Sequence, residues 1–256
     1  MAAVAVMAAD EGAAAHESSS ASGTGEEGAV TGADVPGPAK IKAALMIEDP
    51  RMVHYTDFVS PEEVQHILQL CESRWERSTV SVGKASELLS SGYKEGNGTE
   101  AVGETRTSTS VHLTFDESYV VERIAARVAT VCGCSLEHVE PLVALRYEPG
   151  QFFKLHHDGA MRPSTVFVYL TGLEPDAGGE THFPKLGFQV QAVAGTAVMW
   201  HNRLPDGGAD PRLSHEALPV LKGVKYGMNC FVNIQSQRDT SNIVLVHHKE
   251  DGTTDK

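Results

Sequence analysis

His156 and Asp158 stand two residues apart and offer one imidazole nitrogen and one carboxylate oxygen. On an extended strand, positions i and i+2 face the same side, so the two groups can meet at one point. His157 between them faces away and is set aside as a ligand. A third ligand has to come from another strand, and His215 is the choice. Two histidines and one carboxylate on one face of an ion leave the opposite positions open, the donor set of mononuclear non-haem iron oxygenases. Zinc sites instead close as Cys/His tetrahedra or present His-rich triads to a single water. His-x-Asp alone is a common chance pair, and a histidine in a short apolar strand is more often a hydrogen-bonded core residue. The wider stretch from Tyr147 to Lys225 has to carry the reading.

The elements that would position these groups follow from patterning. A chain of 256 residues is long enough for one substantial core. Residues 1–42 are rich in Ala, Gly, Ser and Glu and lack the large apolar groups needed to offset chain entropy, so they read as a disordered acidic leader. Val53 to Phe58 predicts a strand. Ser60-Pro61-Glu62-Glu63 predicts a helix start with a capping box, followed by the stripe Val64, Ile67, Leu68 and Cys71. Residues 79–104, polar and Gly/Ser-rich, read as a mobile loop of the kind that closes over substrates, and a strand runs from it through Leu113. A second helix is expected from about Glu117 to Thr130, burying Val120, Val121, Ile124, Val128 and Val131, with Ser135 capping a further turn. After Glu140 the pattern changes to short strands: Leu142 to Tyr147, Phe152 to His156, Thr165 to Thr171, Glu180 to Phe183, Phe188 to Val193, Thr196 to Trp200 and Tyr226 to Ile234. Regular short strands between Gly, Pro and Asp turns predict an antiparallel sandwich or jelly roll. One more edge strand, Asn242 to Val246, falls in the polar tail 237–256.

The net charge of −13 argues against a nucleic-acid backbone as partner, and no apolar run reaches membrane-spanning length. Cys71, Cys132, Cys134 and Cys230 are sparse for a disulfide scaffold and contain no Cys-x-x-Cys pair. Cys132-Gly133-Cys134 reads as ordinary thiols at a helix end. The first ten residues lack a basic region and meet acid at once, a poor secretory signal, so a cytoplasmic location is expected.

Together the motifs resemble the prolyl 4-hydroxylase family of 2-oxoglutarate and Fe(II)-dependent dioxygenases, over about residues 50–236. The matching pieces are Tyr147-x-x-Gly150-Gln151-x-Phe153-x-x-His156-x-Asp158, Thr165-x-x-x-Tyr169-Leu170, Gly178-Gly179-Glu180-Thr181-x-Phe183-Pro184, Gly195-x-Ala197, Ser214-His215-x-x-x-Pro219-Val220 and Gly223-x-Lys225-x-x-x-Asn229. The resemblance implies an α+β, mainly β fold: a double-stranded β-helix (jelly-roll) core at 140–236 with supporting N-terminal helices, in one dioxygenase domain at 43–236. It implies His156, Asp158 and His215 as iron ligands. Lys225 would hold the distal carboxylate of 2-oxoglutarate, as a dicarboxylate in an apolar barrel needs a fixed cation. Tyr169 and Thr165 would donate hydroxyls to that carboxylate, and Tyr147 would line the same pocket. Implied cofactors are Fe(II), 2-oxoglutarate, O2 and ascorbate, and the implied products are a hydroxylated prolyl residue, succinate and CO2. Arg106 and Arg162 match family arginines near a proline-containing peptide substrate; either reads equally as a surface ion-pair former.

Two features depart from the family pattern. The segment between Asp158 and Arg162 is short, and Phe231 stands where a tryptophan is usual. Both bear on collagen-like or wall-like peptide specificity and leave the iron and 2-oxoglutarate positions intact. The alternatives are a cytosolic oxygen-sensing or ribosomal-protein prolyl hydroxylase of the same fold, and a binding module for proline-rich partners without turnover. The intact ligands together with Lys225 argue against the second.

Overall fold

The computed structural model describes residues 35–38, 40–82, 99–101 and 104–238. In chain order the elements are β1 (Lys42–Ile47), β2 (Met52–Thr56), α1 (Pro61–Cys71), β3 (Glu76–Arg77), β4 (Val80–Val82), β5 (Thr99–Ala101), β6 (Thr109–Leu113), α2 (Tyr119–Cys132), β7 (Leu142–Tyr147), β8 (Phe153–His156), β9 (Ser164–Tyr169), β10 (Thr181–Phe183), β11 (Phe188–Val190), β12 (Ala197–His201), β13 (His215–Ala217) and β14 (Lys225–Val232). Eight strands form one antiparallel sheet in the order β1-β2-β12-β9-β14-β7-β6-β3. Four form a smaller one, β11-β10-β13-β8, and β4 pairs with β5. This is the expected mainly β jelly roll with helices packed on one side.

The large sheet is covered on both faces. On one face Val166, Val168, Met199, Met228 and Cys230 pack against Ile67 of α1 and Val120, Ile124 and Val128 of α2. On the other, Leu145, Tyr147, Phe167, Tyr169 and Trp200 meet Phe183 of the small sheet. Period-2 alternation along each strand produces this division. β9, between β12 and β14, is buried at all six positions and presents Thr165, Phe167 and Tyr169 to the interior between the sheets.

α1 starts as its sequence predicts. The Ser60 hydroxyl accepts from Glu63 N–H, the Glu63 carboxylate accepts from Ser60 N–H, and Pro61 needs no partner at the first position. α2 lies about two residues further along than predicted and ends on Gly133, whose φ of 67° suits a residue without Cβ. Ala125 and Ala129 join its buried face, and Val131 is only partly buried. Ser135 precedes a 3-10 turn, Leu136–His138, but its side chain makes no capping bond.

Several strand ends differ from expectation. β9 stops at Tyr169 because the N–H groups of Leu170 and Thr171 both turn to the Tyr226 carbonyl and leave the ladder. β11 stops at Val190, and the Ala192 carbonyl instead accepts from Leu173 N–H. The packed chain begins earlier than residue 43: Val35 and Ile41 lie against the core, and Ser60 Oγ donates to the Pro36 carbonyl. At the ends of the predicted loop 79–104, β4 and β5 form a hairpin; residues 83–98 and 102–103 lie outside the described residues, as do 1–34 and the expected strand Asn242 to Val246. All four cysteines are free, as read from their spacing. Among the described residues no helix is long and apolar enough to cross a membrane.

Candidate metal centre

The small sheet brings the ligands together through its register. β13 runs antiparallel to β8 with His215 directly opposite His156, and the two rings lie 4.3 Å apart between centroids. Asp158 lies two residues past the end of β8, in the irregular segment that follows, rather than on the strand as the spacing predicted. Its Oδ1 lies 3.8 Å from His156 Nε2 and its Oδ2 3.8 Å from His215 Nε2. One ligand atom from each residue lies within 4.8 Å of the other two, and no other His/Cys/Asp/Glu group among the described residues is so arranged.

The hydrogen bonds show that these donors suit a metal. His156 Nδ1 lies 2.9 Å from the Lys154 carbonyl and His215 Nδ1 lies 3.0 Å from the Leu213 carbonyl. A carbonyl only accepts, so both Nδ1 atoms carry the proton and both Nε2 lone pairs face the cluster, the usual way a ligating imidazole is oriented. His157 has no such lone pair to give: Nδ1 accepts from Gly159 N–H and Nε2 donates to the Asp210 carbonyl. Burial first, then the neighbouring His215, hold the His156 pKa down to about 3, so its ring is neutral. Burial alone would raise the Asp158 carboxyl, but His215, His156, Arg162 and the Thr165 hydroxyl together hold it below the ordinary range. Two imidazoles with Nε2 turned to the cluster and one carboxylate between them fit a divalent iron site.

Lys225 opens β14 opposite Tyr147 and is 1 % exposed. Its Nζ donates to the Gly179 carbonyl at 2.6 Å and lies 5.1 to 5.6 Å from the ring centroids of Phe167, Tyr169 and Tyr147. Burial holds its pKa down to about 7, with Glu180 pulling partly the other way. Gly178 and Gly179, both at positive φ, let this carbonyl approach; a Cβ on Gly178 would collide with the Pro219 carbonyl oxygen. Tyr169 donates its hydroxyl to Thr181 Oγ1 at 2.9 Å.

Two expectations meet a different geometry. The Thr165 hydroxyl donates to Asp158 Oδ2 at 2.8 Å, so in this structure it faces the candidate ligand Asp158 rather than the Lys225 end of the pocket. Arg162 makes a two-pronged ion pair with Glu140 at 2.9 and 2.7 Å and stacks 3.8 Å over Phe231, the geometry of the ion-pair alternative that the sequence left open. Arg106 lies 4.7 Å over Phe153, which itself stacks on His156 at 3.6 Å. Sequence reasoning missed Asn202, Thr181 and Phe153 as groups that touch the site residues. Thr181 and Phe153 lay inside quoted motifs, whereas nothing in the sequence marks Asn202.

A family described as the 2OG-Fe(II) oxygenase superfamily matches residues 142–233. Prolyl 4-hydroxylase 1 of Arabidopsis thaliana is 32 % identical over 73 % of this chain and 70 % of its own length. The prolyl 4-hydroxylase subunit alpha-1 of Gallus gallus is 30 % identical over 74 % of this chain, which spans only 37 % of that longer subunit. Among solved structures, the 2OG complex of the viral collagen prolyl hydroxylase from Paramecium bursaria Chlorella virus-1 has a TM-score of 0.54 at 21 % identity, covering 71 % of this chain and 94 % of that one. The chain belongs to the prolyl 4-hydroxylase family of 2-oxoglutarate/Fe(II)-dependent dioxygenases, oxidoreductases that use Fe(II), 2-oxoglutarate and O2.

Proposed function

We propose that the chain hydroxylates prolyl residues in a peptide or protein, with 2-oxoglutarate and O2 consumed and succinate and CO2 released. The observation that carries this reading is the pairing of two sites in one interior: the cluster of His156, Asp158 and His215, and the buried amine of Lys225 among Tyr147, Phe167 and Tyr169. His156, Asp158 and His215 would hold an Fe(II), which would supply O2 activation, one oxygen atom ending in succinate and one in the hydroxylated product. The chain's own groups do the rest. The Nδ1–H bonds to Lys154 and Leu213 hold both imidazoles in one tautomer. Lys225 binds the distal carboxylate of 2-oxoglutarate, and the rings around it exclude water and strengthen that bond. Tyr169, held by Thr181, lines the same end.

Arg106, seated on the Phe153 ring beside His156, is the group we assign to the peptide. Arg162 instead braces the mouth through Glu140 and Phe231. Ascorbate would serve to keep the iron reduced. The named activities of the plant and animal relatives support proline as the target.

The test is mass spectrometry of proline-containing peptides incubated with the protein, Fe(II), ascorbate and 2-oxoglutarate, in air and without it. The panel spans collagen-like, polyproline, wall-like and cytosolic degron-like or ribosomal sequences. The expected result is a one-oxygen gain on proline that needs air and is lost in Asp158→Ala. Succinate formed without a peptide product keeps the dioxygenase and rejects these substrates. Iron-loaded protein that forms neither succinate nor product is a binding module.

A further inference from the structure

We propose that Thr165 is a positioning residue for the metal: oriented by Asn202, it fixes the Asp158 carboxylate for ligation through its hydrogen bond to Oδ2. The inference rests on reading His156, Asp158 and His215 as the iron site.

The argument starts from proton directions that the partners force. Asn202 is fully buried, and its Nδ2 lies 2.9 Å from the Arg162 carbonyl and 2.9 Å from Thr165 Oγ1. The Arg162 carbonyl can only accept, so the amide nitrogen rather than the amide oxygen must point to this side. Thr165 Oγ1 then receives a hydrogen bond from Asn202. Its own single proton is left for Asp158 Oδ2, 2.8 Å away, which as a carboxylate oxygen only accepts. The chain Asn202 to Thr165 to Asp158 therefore runs one way, and each donor polarises the next.

The backbone holds this relay at both ends. Asn202 N–H donates to the Pro163 carbonyl, and the Asn202 carbonyl accepts from Asp210 N–H. Thr165 sits in the middle of the large sheet, paired with Trp200 of β12 and Phe231 of β14. The carboxylate is thus oriented from the rigid sheet, although Asp158 itself lies in an irregular segment. An oxygen tied to Thr165 would keep the carboxylate in one orientation toward His156 and His215.

The experiment compares wild type, Thr165→Val and Thr165→Ser as metal-free proteins. Co(II) binding is followed by calorimetry and by the visible spectrum of the bound ion, and 2-oxoglutarate binding to the Co(II)-loaded protein is measured separately. Thr165→Val keeps the shape and removes the proton. It is expected to weaken Co(II) binding by about 10- to 100-fold and alter the spectrum, the usual cost of losing a partner of a metal ligand. Its 2-oxoglutarate affinity, once Co(II)-loaded, stays near wild type, and Thr165→Ser restores both metal affinity and spectrum. Unchanged Co(II) affinity and spectrum in Thr165→Val overturns the proposal. So does a loss confined to 2-oxoglutarate, which would place the hydroxyl on the cosubstrate. Wild type that binds no Co(II), or binds it equally after His215→Ala, overturns the iron-site reading itself, a separate outcome.

Discussion

Replacing Lys225 by Met should make the metal-free protein more stable while abolishing 2-oxoglutarate binding. Burial of this 1 % exposed side chain holds its pKa down to about 7 against an ordinary 10.5. At about pH 7.5 the unfolded lysine is charged and the folded one is mostly neutral. The penalty is about 1.4 kcal/mol for each of about three pH units, or about 4 kcal/mol. Methionine fills similar space without that penalty, but it leaves the buried Gly179 carbonyl without the donor it had at 2.6 Å, which costs about 1–3 kcal/mol. The net gain is about 1–3 kcal/mol, a rise in Tm of about 5 °C for a domain of this size. Calorimetric melting of metal-free protein reads it. The sign can be checked against pH. A lysine whose folded pKa lies below its unfolded value binds fewer protons when folded, so wild-type stability rises as pH rises from about 7 toward 10.5. The advantage of Lys225→Met should therefore shrink over that window. A lower Tm for the variant, an advantage that grows with pH, or retained 2-oxoglutarate affinity would refute the reasoning.

The same lysine must be charged to hold a carboxylate, so 2-oxoglutarate affinity of the metal-loaded protein should fall above about pH 7, by up to about tenfold per unit; a flat calorimetric profile to pH 9 removes Lys225 from the binding step. Glu63 is fully buried and accepts from Arg123, Arg127 and Ser60 N–H, so Glu63→Gln should cost about 3–5 kcal/mol and show as a large fall in the urea midpoint. Glu140→Ala and Arg162→Ala should each destabilise, and a double-mutant cycle should return a coupling of about 1–3 kcal/mol between them; additive effects would break the ion pair at 2.7 Å as an argument.

The sequence was most legible where structure is local. The capping box at Ser60 and Glu63 depends on residues three apart, and it forms as written. The strands β7 and β8 were bounded to within a residue because alternation and turn residues lie within each of them. Strand ends that depend on a neighbour were missed. Whether β9 runs to Thr171 is decided by where the Tyr226 carbonyl, 55 residues later, takes its donors. The packed start at Val35 escaped for a similar reason: two apolar residues in an Ala/Gly/Ser-rich stretch carry no periodicity, and only the three-dimensional core gives Val35 and Ile41 a place.

The site divides along the same line, and the division explains why the partners of Thr165 and Arg162 could not be read from the sequence. His156, Asp158, His215 and Lys225 each stand inside a motif that the family resemblance carries, so a role is implied for them before any register is known. A threonine hydroxyl on an inward-facing strand position can reach any acceptor within about 3 Å, so type and face leave its partner open. The choice falls to cross-strand register: β8 opposite β13 sets where the His-x-Asp segment ends, and β9 between β12 and β14 sets where Thr165 stands beneath it. Arg162 is decided in the same way. Glu140 precedes β7, Phe231 lies near the end of β14, and only the sheet order that places β14 between β7 and β9 brings both against a guanidinium at the start of β9. The motifs therefore imply which groups can do chemistry in this family, and strand register decides which of the remaining polar groups serve them.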